Sequence, residues 1–92
     1  VITGDSAGGN LTIVTANALA QAPAEAPVLV QAPIYPVADD PTAHRSFAEF
    51  CEGFLLTGAS INWFHEQYAG DPADPRHSPL AGDCSKTPPT VI

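Results

Sequence analysis

The chain opens with Val1-Ile2-Thr3-Gly4-Asp5-Ser6-Ala7-Gly8-Gly9-Asn10-Leu11, and this stretch constrains everything that follows. Two β-branched residues run into Gly4. A serine stands between glycines as Gly4-x-Ser6-x-Gly8, and helix-forming residues continue to about Ala22. The order is strand, sharp turn, helix, with a hydroxyl at the apex. That is the context of a nucleophile elbow. A serine hydroxyl is a poor nucleophile until a base takes its proton, so it must stand clear of the backbone. A very tight turn achieves this by holding the serine in unfavourable φ/ψ space. Neighbouring backbone then comes close, and Gly4 and Gly8 are the positions expected to need the missing side chain. The following helix aims its free N–H groups and positive dipole end back at Ser6. The Ala7 N–H is the expected donor to an oxyanion, a contribution typically worth about 2.7–4 kcal/mol.

Three other readings compete for the motif. Glycine and serine are common turn residues. A phosphate-cradling loop would need a Lys-Ser/Thr pair after Gly9, which is missing. A trypsin-like Gly-Asp-Ser-Gly-Gly-Pro run is broken by Ala7 and by Asn10, and Leu11 to Ala22 reads as helix where that fold continues in strands. The flanking strand and helix favour the elbow.

Gly4-Asp5-Ser6-Ala7-Gly8-Gly9-Asn10-Leu11 resembles the nucleophile motif of the hormone-sensitive-lipase family of α/β-hydrolase esterases. Ile34-Tyr35-Pro36, Gly53-Phe54-Leu55-Leu56-Thr57, Trp63-Phe64 with Tyr68, Asp71-Pro72, Ser78-Pro79-Leu80 and Pro88-Pro89-Thr90-Val91-Ile92 extend the likeness over essentially the whole chain. The resemblance implies carboxylic ester hydrolysis through a serine acyl-enzyme, with no metal or organic cofactor and a small-molecule ester as substrate. It implies that the aromatic-rich insertion belongs to a cap over the active site, with Phe54, Leu55, Trp63 and Phe64 as substrate-pocket walls. Plant gibberellin receptors resemble the same family and bind a hormone without hydrolysis. Ser6 does not distinguish the two; a downstream histidine would.

A triad also needs a base and an acid, in the order Ser, Asp or Glu, His. His44 and His77 fall in polar loops and His65 in a helix, and none follows a late strand, where the family places its base. Asp39 and Asp40 follow the second strand, where some lipases of this fold keep their acid, but Asp-Asp-Pro reads more simply as a turn. The family's His-Gly-Gly-Gly oxyanion run does not occur in the sequence. Val1 lies inside an apparent strand, Val91-Ile92 inside another, and there is no methionine. The expectation is a piece of a larger α/β protein, inactive alone because acid and base are missing. Its bare strand edges are expected to make the isolated piece aggregate or stay partly unfolded.

The coarse map divides the 92 residues into a strand–elbow–helix–strand unit at 1–33, a cap-like insertion with loops at 34–89, and the start of a third parallel strand at 90–92. Leu11, Val14, Ala18 and Leu19 recur at helical spacing as a sheet-facing stripe. Pro23 ends that helix. Val28-Leu29-Val30-Gln31-Ala32 suits a strand of a parallel sheet, closed by Pro33. Ser46 to Phe50 reads as a short helix. Thr57 reads as the N-cap of a helix from Gly58 to Tyr68, with Gly70 as its left-handed cap. Aromatic residues at helical spacing are more often core than pocket, so each of Phe54, Leu55, Trp63 and Phe64 carries both readings.

The formal net charge is −7, with Arg45, Arg76 and Lys86 as the cations. This argues against nucleic acid and anionic membranes as partners. No apolar run approaches the ~20 residues of a membrane span. Cys51 and Cys84 lack C-x-x-C spacing and read as ordinary thiols. The composition fits a cytoplasmic protein.

Overall fold

The computed structural model describes residues 1–92. Strand β1 (Ile2–Asp5) leads through Ser6 into helix α1 (Ala7–Gln21), and the chain returns through strand β2 (Gln31–Ile34). A 3-10 turn at Pro41–Ala43 precedes α2 (Arg45–Phe50) and α3 (Gly58–Tyr68), and a second follows at Pro79–Ala81. The two strands are parallel, pairing Ile2 with Gln31 and Asp5 with Ile34. Helix α1 packs against both strands and against the Pro79–Ala81 turn.

β2 lies further along the chain than Val28 to Ala32, the span expected from apolar character. The register sets this: Ile2 sits opposite Gln31, and from the preceding run only the Val30 carbonyl joins β1, accepting from the Ile2 N–H at 3.1 Å. Pro33 lies inside β2, opposite Gly4, and does not close it. Alternate N–H groups of a parallel strand point to opposite neighbours. The Gln31 N–H points away from β1 to the Pro89 carbonyl at 3.0 Å. Pro33, two residues on, would aim its N–H the same way, so β1 loses nothing. The expected third parallel strand at 90–92 is a single bridge between Gln31 and Thr90, with the Val91 N–H on the Gln31 carbonyl at 3.0 Å.

Helix α1 follows its expected span, ending before Pro23 with the Ala22 N–H on the Ala18 carbonyl. Its inward face differs from the expected one. Gly9, Thr12 and Ala16 are buried, whereas Leu11 and Ala18 are exposed and Val14 and Leu19 half-buried. Close helix–sheet approach selects small side chains, and Ala16 is fully enclosed. None of the four residues of the expected stripe is buried.

α3 spans Gly58–Tyr68 as expected, and the Thr57 hydroxyl accepts from the Ser60 N–H at 3.2 Å. Its left-handed cap is Ala69 (φ 51°, ψ 31°), not Gly70. Gly70 answers a different need, since a Cβ there would run into the His77 ring. α2 meets α3 at Gly58, where a Cβ would lie 3.2 Å from Phe47 and from Cys51. Neither helix packs extensively on α1 or the strands. The molecule is accordingly elongated, 44 × 23 × 21 Å, with a radius of gyration of 14.0 Å. A compact chain of this length would have about 12 Å. Only nine residues are buried, so the well-packed part is the strand–helix–strand unit around Ser6.

Candidate active site

Ser6 occupies the single residue between β1 and α1, with φ 51° and ψ −116°. A positive φ at a serine is strained, at a cost of about 1–3 kcal/mol, and persists only where the surroundings fix it. They do so through the main chain. The Ser6 N–H donates to the Ile34 carbonyl at 3.0 Å, continuing the β1–β2 ladder. The Ser6 carbonyl accepts from the Asn10 N–H at 3.1 Å and from the Val37 N–H at 3.4 Å. The side chain does not cap the helix, so its hydroxyl is not drawn back onto the backbone. Ala7 is the first helical residue, and its N–H has no acceptor within the helix.

Glycine roles divide unexpectedly. A Cβ on Gly4 would lie 2.5 Å from the Gly8 carbonyl oxygen and 2.6 Å from its carbon. A Cβ on Gly8 would meet nothing nearer than Asp5 Oδ1 at 4.0 Å. The second close approach belongs to Gly9, whose Cβ would lie 2.9 Å from Pro36 Cβ and 3.1 Å from the Ile34 oxygen. Gly4 is therefore needed as expected, and Gly9 takes the part expected of Gly8.

The loop after β2 contributes a second irregular residue. Tyr35 has φ 34°, although it precedes Pro36, a position biased to extended backbone. Its hydroxyl donates to Asp5 Oδ2 at 3.4 Å. This contact between Tyr35 and Asp5, and the buried Asn10, carry no local sequence signal beyond their placement in and near the motif.

The histidine side chains make contacts of their own. His44 faces Asp39 at 3.3 Å. His77 Nδ1 lies 3.3 Å from the Ser78 hydroxyl, and its ring meets His65 edge-on and Tyr68 at a tilt, each with centroids 5.4 Å apart. Asp40 forms the turn that Asp-Asp-Pro suggested: it caps Pro41–Ala43, accepting from the Thr42 N–H at 2.9 Å and hydroxyl at 2.7 Å. Those bonds to Thr42 hold its carboxyl below the usual carboxylate range.

Phe54, Leu55, Trp63 and Phe64 are exposed, Leu55 almost completely. Phe54 stacks edge-on with Phe50, and Trp63 with Phe64. Two grooves lie against the C-terminal half of α1, one of about 260 Å³ closed by residues 83–87 and one of about 480 Å³ closed by residues 23–29 and 86–89. Neither is lined by Ser6 or by these four residues. No helix is long and apolar enough to cross a membrane.

Known proteins resemble this chain in sequence and in fold. An ethyl acetate hydrolase of Pseudomonas putida is 42% identical over 84 residues, covering 88% of this chain and 26% of the relative. The carboxylic ester hydrolase LipN of Mycobacterium tuberculosis is 46% identical over 91 residues, covering 89% of this chain and 24% of the relative. The chain thus spans about a quarter of the length of these curated relatives. Among solved structures, a fungal esterase of Rhizomucor miehei superposes with a TM-score of 0.86 at 31% identity, over 98% of this chain and 29% of its own. A thermostable esterase of Pseudomonas putida gives 0.83 at 29% identity, over 96% of this chain and 29% of its own. A family model for the alpha/beta hydrolase fold matches residues 1–92, and with every residue of the strand, elbow and helix inside that match, the chain belongs to the alpha/beta hydrolase fold family.

Proposed function

We propose that the protein carrying this chain is a carboxylic ester hydrolase with Ser6 as its nucleophile. The observation that carries this is the strained Ser6 backbone at the junction of β1 and α1, which leaves the hydroxyl free of the helix it begins. Ser6 Oγ attacks the ester carbonyl carbon as a base removes its proton. The Ala7 N–H donates to the oxygen that becomes anionic. The tetrahedral adduct collapses, the alcohol leaves with a proton, and an acyl-serine remains. Water then attacks the acyl carbon and releases the acid. Base and acid come from the rest of the hydrolase domain, outside residues 1–92. The engagement of His44 with Asp39 and of His77 with α3 supports this assignment.

Small, moderately apolar esters are the substrate class. The names of the relatives, an ethyl acetate hydrolase and a carboxylic ester hydrolase, support it. Phe54, Leu55, Trp63 and Phe64 supply apolar wall for the acyl or alcohol group. The reading requires no metal or organic cofactor. A net charge of −7 fits a small-molecule substrate better than nucleic acid. The free thiols Cys51 and Cys84 fit a cytoplasmic location.

Hydrolysis of p-nitrophenyl acetate and butyrate by the protein carrying this chain tests the proposal. Ser6→Ala is expected to lower kcat by about 10⁴-fold or more, as nucleophile removal does elsewhere. A loss under tenfold overturns it. Residues 1–92 alone are expected to show no Ser6-dependent turnover.

A further inference from the structure

Three main-chain bonds hold the Ser6 backbone, one of them from Ile34 at the end of β2 and one from Val37 in the segment that leaves it. That segment is itself strained at Tyr35, so something must fix it against the helix. Asn10 does. It lies in the second turn of α1, where asparagine is a poor helix former. The residue is buried, at 7% exposure. Nδ2 donates to the Val37 carbonyl at 2.6 Å and to the His77 carbonyl at 2.9 Å. Both partners are acceptors, so only the NH₂ end of the amide satisfies the site, and both of its hydrogens are used.

The result is a two-handed grip on the elbow. The Asn10 backbone N–H holds the Ser6 carbonyl directly, at 3.1 Å. The Asn10 side chain holds Val37, whose own N–H meets the same Ser6 carbonyl at 3.4 Å. The second side-chain bond fastens the elbow to His77, whose ring packs on His65 and Tyr68 of α3. We propose that Asn10 is a positioning residue for the nucleophile, holding Ser6 in its strained conformation through Val37 and tying the elbow to the His77–α3 contact. This rests on the assignment of Ser6 above.

The test uses Asn10→Ala and Asn10→Asp in the protein carrying this chain. Aspartate nearly matches asparagine in shape but turns oxygens without hydrogens towards two carbonyl oxygens. Donation therefore predicts that Asn10→Asp is at least as damaging as Asn10→Ala, whereas mere space-filling predicts an Asp variant close to wild type. A displacement of Ser6 approaching 1 Å corresponds to about a 100-fold loss, so kcat is expected to fall about 10- to 100-fold while KM changes less than threefold. Amide hydrogen exchange at Ser6 and Val37 is expected to speed up about tenfold, with Thr15 and Ala16 as references for intact α1. Should the Asp variant fail to fold, the Ala variant gives the same two readouts without a buried charge. Unchanged exchange at Ser6 and Val37, an Asp variant equal to wild type, or a KM effect without a kcat effect each overturns the proposal. Failure of the esterase reading appears separately, as turnover that survives Ser6→Ala, and leaves the exchange result still decisive for Asn10.

Discussion

Alanine at Gly4 and alanine at Gly8 are expected to have opposite consequences, although the motif presents the two glycines alike. At Gly4 the new Cβ would lie 2.5 Å from the Gly8 oxygen, 2.6 Å from its carbon and 3.1 Å from its Cα. Unstrained non-bonded contacts lie at about 3.5–4.0 Å, so the backbones must part by about 1 Å. Every atom met is main chain, and no side chain can rotate away. Overpacking costs about 1–3 kcal/mol where side chains give, and Gly4→Ala belongs at the upper end of that range. The same 1 Å shift carries Ser6 with it and costs about 100-fold in kcat. At Gly8 the Cβ meets only Asp5 Oδ1 at 4.0 Å, an ordinary contact. Gly8 is the second residue of α1, so alanine there gains helix propensity, up to about 1 kcal/mol and less in a first turn. The variants should therefore differ by about 3 kcal/mol, more than a hundredfold in the folded-to-unfolded ratio. Urea unfolding midpoints, with initial rates on a p-nitrophenyl ester, read both effects. Equal midpoints, or Gly8→Ala as the weaker variant, would refute the steric reasoning.

Two further outcomes follow from the surface. Ala69 closes α3 in the left-handed region, which costs an L-residue about 1–2 kcal/mol, so Ala69→Gly should raise the urea midpoint by about 1 kcal/mol of stability; an unchanged or lower midpoint counts against the assignment of the cap. Asp74 is held down to about 2 by the Arg76 guanidinium and backbone N–H. Its folded value lies below the ordinary 3.8, so this pair helps the fold above pH 3.8, and the help is lost as pH falls towards about 2. Arg76→Gln should move the Asp74 carboxyl titration, followed by NMR, up towards 3.8; an unmoved midpoint refutes the pairing.

What the sequence disclosed was short-range. The order of β1, Ser6 and α1 is written in adjacent residues, and so are Thr57 as a cap and Gly58–Tyr68 as a helix. Misplaced features depend on partners far along the chain. β2 begins at Gln31 because Ile2 lies opposite it, which no window around Val28 reveals. α1 turns Gly9, Thr12 and Ala16 inward because the strands come close, whereas periodicity favoured Leu11 and Ala18. The left-handed residue after α3 is Ala69, whereas Gly70 lies against the His77 ring, seven positions on. Asn10 gave no warning, since its acceptors lie 27 and 67 positions away.

Those long separations also set an order of events in time. Asn10 waits for the His77 carbonyl, and Asn17 for the Thr87 hydroxyl seventy positions later. Ending a 67-residue loop costs about 2.5 kcal/mol more chain entropy than ending a four-residue one. As the polypeptide leaves the ribosome, the turn that presents Ser6 emerges well before His77, so its tie through the Asn10 amide forms only once residue 77 has arrived.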